Sequence, residues 1–254
     1  METPTATVAR EGLSTLKGGR FFDAPRRLRR MHDQLAAVYG PQHWWPASNT
    51  FEVILGAYLT QNTSWKGVEL SLANLGRAGA LTIEGLRRVS LNDLQDLIRP
   101  SGFQTRKAPA LKAFIAALDA EFEGSLDKMA ATPTERLRKR LLNLPGVGPE
   151  TADAILLYAL GHAVPVGDEY LRRIVERHKL TDQVPSRNRS GYESLVQLTR
   201  KAFSSETQGD HAQFFNEFHA LIVAVGKAHC GRTPRCADCP LREDLKIAGR
   251  CDTD

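Results

Sequence analysis

The chain has 254 residues, 42% of them apolar, which is enough for a buried core in one or two domains, and 34 Lys and Arg against 29 Asp and Glu give a net charge of +5. With a sequence pI near 9.1, a polyanionic partner fits that balance without being required by it. No run approaches the roughly 18 apolar residues of a membrane span, and Met1 to Arg20 lacks the apolar stretch of a secretory signal, so the expectation is a cytoplasmic, nucleoid-associated protein with no membrane role. Cys230, Cys236, Cys239 and Cys251 are the only cysteines. In a chain without an export signal, that clustering favours metal ligation over a disulfide framework.

Residues 1–20 show no apolar periodicity and are expected to form a mobile tail. Leu28, Met31, Leu35 and Val38 recur at helical spacing from Pro25 to Tyr39, where Gly40-Pro41 stops the helix and Arg26, Arg27, Arg29 and Arg30 form a face expected in solvent. The cluster Ser48, Asn49 and Thr50 can cap a helix from Phe51 to about Leu59, and Asn62 to Ser64 can cap another through Leu75. Gln61 between them suits local backbone capping. Trp44, Trp45 and Trp65 are all the tryptophans of the protein; they suit core packing, or flat faces on which an extruded base could stack.

Farther along, Thr82 to Val89 and Ser90 to Ile98 each open on a capping hydroxyl, and Pro100 closes the second. The loop Ser101-Gly102-Phe103-Gln104 leads into a helix from Thr105 to Phe122 with Leu111, Phe114, Ile115 and Leu118 inward and Arg106, Lys107 and Lys112 outside. Pro133 suits the first turn of a helix reaching Leu142, with Arg136, Arg138, Lys139 and Arg140 on its exposed face. A further stripe runs from His211 to Val225 through Phe214, Phe215, Phe218, Leu221 and Ile222. No alternating pattern of useful length occurs, so the fold class is all-α.

The stretch Leu142 to Arg173 carries the chemistry. In Leu144-Pro145-Gly146-Val147-Gly148 two glycines permit left-handed or crowded backbone. Pro149 suits a first helical position, with Gly148 as its N-cap, so backbone N–H groups at the positive end of a helix form an anion site that takes a phosphate without reading sequence. The next helix, Glu150 to Leu160, is expected to bury Ala152, Ile155, Leu156 and Ala159. Asp168 follows Pro165-Val166-Gly167 and is placed to cap the helix beginning at Tyr170 and Leu171.

LPGVGPETADAILLYAL followed by VGDEYLRRI resembles the helix-hairpin-helix DNA glycosylases of the endonuclease III superfamily, and the resemblance runs from about Trp44 to the C-terminal cysteines. It implies a two-lobed fold: a helical barrel over residues 50–162 ending in the hairpin, and a second lobe from 21–49 and 163–254 bearing the cysteines. It also implies that Asp168 is the catalytic carboxylate, that Pro145, Gly146, Val147 and Gly148 bind a DNA phosphate, and that Gln61, with Asn62 beside it, and Phe103 enter the duplex. Bifunctional members carry a Schiff-base lysine where this chain has Glu150, which joins Asp168 in the catalytic set but cannot form an imine, so strand cleavage is not expected. Glu150, Asp168, Trp44-Trp45-Pro46 and Gln61-Asn62-Thr63-Ser64-Trp65 look most like the 3-methyladenine glycosylases, whose aromatic pocket would correspond to Trp44, Trp45, Pro46 and Trp65.

That resemblance implies monofunctional excision of cationic alkylated purines from double-stranded DNA by a monomer. A cationic base is attracted to indole faces and leaves readily, so an ionised Asp168 need only stabilise the oxocarbenium-like sugar and supply water. The resemblance also implies a 4Fe-4S cluster on Cys230, Cys236, Cys239 and Cys251, although the last interval of C-x5-C-x2-C-x11-C is longer than the family's, with structural zinc as the alternative. Lys227, Arg232, Arg235 and Arg242 would then face phosphates. Two other readings stay open: a mismatch, deaminated-base or endonuclease III-like enzyme, and a DNA-binding module without catalysis.

Overall fold

The computed structural model describes residues 24–45, 47–204 and 211–247. The expected tail, Pro46 of the base pocket, residues 21–23 of the second lobe and Cys251 lie outside them. The described residues are helical throughout, without a strand: α1 Ala24–Tyr39, α2 Thr50–Leu59, α3 Trp65–Arg77, α4 Ile83–Arg88, α5 Leu91–Leu97, α6 Gln104–Phe122, α7 Leu126–Ala130, α8 Thr134–Leu142, α9 Pro149–Ala154, α10 Glu169–Arg177, α11 Arg189–Ala202, α12 His211–Ala228 and α13 Arg242–Ile247.

The starts of several helices follow from single side chains. Asn49 accepts from the Glu52 N–H at 3.0 Å, Thr82 from Gly85 at 2.9 Å and Ser90 from Asp93 at 3.1 Å; each such cap is worth about 1 kcal/mol. Ser64 caps α3 in the same way. The helix expected from Glu150 to Leu160 is corrected in its second half, where Ile155–Ala159 forms a π turn. α7, α11 and α13 were not foreseen, because short or weakly patterned segments carry little periodicity to read.

Helices α2, α3, α5 and α6 pack together; α1 lies on α11 and α12, and α10 on α12. The two groups meet where α12 reaches the π turn and α11 reaches α9. Leu28, Leu55, Phe114, Ile155, Leu171 and Phe218 belong to one continuous core across that seam. Within the second group, Gly226 lets α12 close on α10: a Cβ there would sit 2.1 Å from the Tyr170 ring.

Of the cations expected in solvent, Arg29 and Lys112 reach backbone carbonyls from half-buried positions, and three others turn inward. Arg27 on α1 donates from Nε and Nη2 to Asp244 at 2.9 and 2.6 Å and from Nη2 to the His178 carbonyl at 2.8 Å. Lys107 on α6 donates to the carbonyls of Leu59 and Ser101 at 2.8 and 2.7 Å. Arg138 on α8 forks onto Asp153 at 2.6 and 2.9 Å and reaches Glu193 at 2.9 Å. Their stems tolerate burial because every head finds oxygen acceptors. Val38, assigned to the apolar stripe of α1, is exposed in the last turn of that helix.

Candidate active site

A cleft of about 620 Å³ opens where the two helix groups meet, lined by Trp44, Trp45, Gln61, Asn62, Trp65, Gly148, Glu150, Asp168, Tyr170, His219 and Lys227, among others. Residues read from separate stretches of sequence are thus brought to one place. The three indoles touch one another, with ring centroids 5.8 Å apart for Trp44 and Trp45, 6.0 Å for Trp44 and Trp65, and 5.5 Å for Trp45 and Trp65. Each stays half-buried, so the cluster keeps some face toward the cleft. Lys227 Nζ stands 5.3 Å from the Trp44 ring centroid, which places it in the cleft wall and not only on a basic loop.

The segment bearing Trp44 and Trp45 is pinned to α12 by Glu217, whose carboxylate accepts from the N–H groups of Gln42 at 2.6 Å and His43 at 2.9 Å. Nothing local marks Glu217 for this role, since its partners lie more than 170 positions away.

Asp168 is the N-cap of α10: Oδ1 accepts from the Leu171 N–H at 2.7 Å, and the residue is buried. The helix end therefore holds the carboxylate in one orientation. The preceding Gly167 does not loosen that placement, because a Cβ there would come within 2.9 Å of Leu195 Cβ; the glycine lets the strand-like approach to Asp168 lie against α11. Glu150, at the start of α9, has its pKa pushed up to about 7, first by the protein crowded around it and then by the charge of Asp168, with His219 opposing. Its side chain still meets water in the cleft, which limits the rise.

Gln61 is not a local cap. Its Nε2 donates to the Gly146 carbonyl at 2.9 Å and to Thr151 Oγ1 at 3.0 Å, tying the end of α2 to the hairpin. In the hairpin, Gly146 takes a φ of 73°, open to glycine at little cost, and the Val147 N–H closes the turn on the Leu144 carbonyl at 3.2 Å. Pro145 and Gly148 are exposed beside it. Asn62 and Phe103 both adopt φ of 52° and are exposed. With Gln61, Arg106 and Gly146 they border a second hollow of about 220 Å³ on the far side of the hairpin. The Lys107 ammonium ties down the chain beneath both loops.

The cysteines are less complete. Cys230 is buried and its Sγ accepts from Arg177 Nη1 at 3.0 Å, while Cys236 is exposed and Cys239 half-buried. Burial, and then the nearby Cys236 and Cys230, push the Cys239 thiol up to about 11. An Arg donor on the Cys230 thiol suits a thiolate ligand. Among the described residues, however, no group of three His, Cys, Asp or Glu side chains converges as a metal cage.

Residues 55–197 match the model of the HhH-GPD superfamily base excision DNA repair protein. A candidate DNA repair glycosylase of Methanocaldococcus jannaschii is 36% identical over 218 residues, covering 85% of this chain and 94% of that protein. An endonuclease III of Sulfolobus acidocaldarius is 27% identical over 201 residues, covering 78% and 82%. The structure of an H. pylori 3-methyladenine DNA glycosylase bound to 1,N6-ethenoadenine superposes with a TM-score of 0.68 at 28% identity, covering 82% of this chain and 98% of that one. With a family model matched over more than half of its length and a relative 36% identical over most of both chains, the chain belongs to the HhH-GPD superfamily of base excision repair proteins and is a DNA glycosylase.

Proposed function

We propose that this glycosylase excises cationic N-alkylated purines from duplex DNA and does not cut the strand. The observation that carries the reading is the gathering of Trp44, Trp45 and Trp65 with Asp168 and Glu150 around one cleft. Indole faces attract a cationic base, and they do so more strongly in a partly desolvated site. Such a base is already an activated leaving group, so the enzyme must mainly stabilise positive charge on the sugar. Asp168, with one oxygen held by its helix, supplies that charge and accepts the proton of the attacking water. Gly146, Val147 and Gly148, entered through Pro145, hold a backbone phosphate, while Gln61, Asn62 and Phe103 fill the space left by the extruded nucleotide. Glu150 stands where an imine-forming amine would be needed. The H. pylori structure with its bound ethenoadenine supports a purine-accepting cleft.

A second reading has an observation of its own. The Glu150 carboxyl borders the cleft with Asp168, and a carboxyl raised by its surroundings can protonate a neutral leaving base, as a deaminated or mismatched substrate would need. A panel of duplexes containing 3-methyladenine, hypoxanthine, uracil or thymine opposite guanine, read with and without alkali, separates the two. Release of 3-methyladenine, with strand breaks only after alkali and loss of release in Asp168→Asn, is the expected result. Preference for a neutral pyrimidine overturns the cationic-base reading, and breaks without alkali overturn the monofunctional one.

The donor chemistry of Cys230, Cys236 and Cys239, joined by Cys251, suits a 4Fe-4S cluster, which would brace the C-terminal lobe rather than take part in hydrolysis. Iron and acid-labile sulfide in the purified protein are expected; stoichiometric zinc assigns the structural-zinc alternative instead.

A further inference from the structure

Asp168 shows its two oxygens to different neighbours. Oδ1 is taken by the Leu171 N–H, which leaves Oδ2 for chemistry in the cleft. His219 on α12 faces that atom, with Nε2 3.5 Å from Oδ2. The other ring nitrogen, Nδ1, lies 2.5 Å from the Tyr158 hydroxyl. Tyr158 sits within the π turn, a local widening of the helix often found at functional sites, and its ring also meets Trp45 at 5.3 Å. Burial first, then the charges of Asp168 and Glu217, keep the phenol protonated.

The tautomer of His219 follows from these neighbours. If Nδ1 carried the proton, the Nε2 lone pair would face a carboxylate oxygen. Whether the ring is neutral with the Tyr158 hydroxyl donating to Nδ1, or charged with Nδ1–H donating to that hydroxyl, a proton resides on Nε2 and is directed toward Asp168. Nε2 is buried and has no hydrogen-bond partner in the resting protein, an uncommon condition for a buried imidazole and one that points to a contact completed by substrate.

We propose that His219, oriented by Tyr158, is a positioning residue that holds Asp168 Oδ2 and the attacking water in line with the sugar. This rests on the reading of Asp168 as the catalytic carboxylate. In the hydrolysis the C1′–N bond breaks with its electron pair leaving on the base. The water oxygen bonds to C1′, and the water proton passes to Asp168 Oδ2. His219 keeps its proton throughout, so its contribution is geometric and electrostatic. The 3.5 Å separation closes when the sugar and its water enter, as is common for catalytic contacts in unliganded enzymes.

The test compares wild type with His219→Ala, His219→Gln, Tyr158→Phe and Asp168→Asn. It measures single-turnover release of the base that the wild type prefers, the dissociation constant for the same duplex, and the His219 tautomer by nitrogen-15 NMR of the resting protein. His219→Ala is expected to slow base release roughly 10- to 100-fold while affinity stays within about threefold. Glutamine at 219, or imidazole added to the alanine variant, should restore part of the rate. Tyr158→Phe should slow release by a smaller factor and depopulate the Nε2–H tautomer. A wild-type rate in His219→Ala, a joint loss of rate and affinity that neither glutamine nor imidazole restores, or a resting Nδ1–H tautomer overturns the proposal. Full base release by Asp168→Asn removes the catalytic-carboxylate reading; an inactive Asp168→Asn beside a normal His219→Ala removes only the role of His219.

Discussion

Arg27 and Lys107 carry the same charge and are equally buried, each 5% exposed, yet the protein satisfies them in opposite ways. Arg27 meets a carboxylate, Asp244, which also binds His178 Nδ1 at 2.8 Å, so α1, the end of α10 and the cysteine-bearing terminus are clamped by one ionic cluster. Lys107 has hydrogen bonds to backbone carbonyls, those of Leu59 and Ser101, and stands 5.9 Å from the Phe103 ring centroid, at the bases of the two loops that border the second hollow. An ion pair with a fixed fork welds segments together. A lysine on carbonyls instead sets where two loops begin, and burial lowers its pKa because no anion offsets the desolvation. One cation stabilises the packing of α1 against the end of α10 and α13, and the other shapes the loops around the second hollow.

The largest effect that would break this contrast is on the clamp. Arg27→Met leaves Asp244 and His178 buried without their cation and should cost about 3–5 kcal/mol in denaturant unfolding, while the folded fraction retains base release near the wild-type rate. Burial alone would raise the Asp244 pKa, but hydrogen bonds from His178 and Arg27 outweigh it and hold the folded value below the ordinary one. A depressed carboxyl contributes stability that is complete above its unfolded pKa, about 3.9, and is lost as pH falls through the folded value. The gap between wild type and Asp244→Asn should therefore be full at neutral pH and shrink under acid; a gap that widens on acidification would contradict the clamp.

Lys107→Met should be milder in unfolding, about 1–3 kcal/mol for two stranded carbonyls, and harsher in function, with weaker binding of duplex DNA than Arg27→Met shows. Equal losses in both assays would erase the distinction between the two cations. Smallest of all, Lys128→Ala removes an exposed pair with Glu123 and should change stability by less than about 1 kcal/mol, which sets the floor against which the buried cations are judged.

Much of the site was readable along the chain because its parts are local. Asn49, Ser64, Thr82 and Ser90 cap helices through N–H groups three residues away, and Asp168 does the same at Leu171. Gly146 of the hairpin declares itself through a backbone conformation that other residues avoid. His219, Tyr158 and Glu217 were not readable, since each acquires meaning from a partner far away in sequence and, for Tyr158, from a π turn that shifts the helical phase. The three inward cations escaped for a related reason. A basic residue on an amphipathic helix looks solvated until a second element brings acceptors to it.

Short-range chemistry in the chain thus settled the capped helices, the hairpin and the orientation of one carboxylate, because those depend on hydrogen bonds spanning three or four residues. Packing of α12 against the π turn and the tryptophan segment decided what surrounds that carboxylate. The free energy of those contacts depends on shape and burial across the seam, and no window of sequence contains both sides of it.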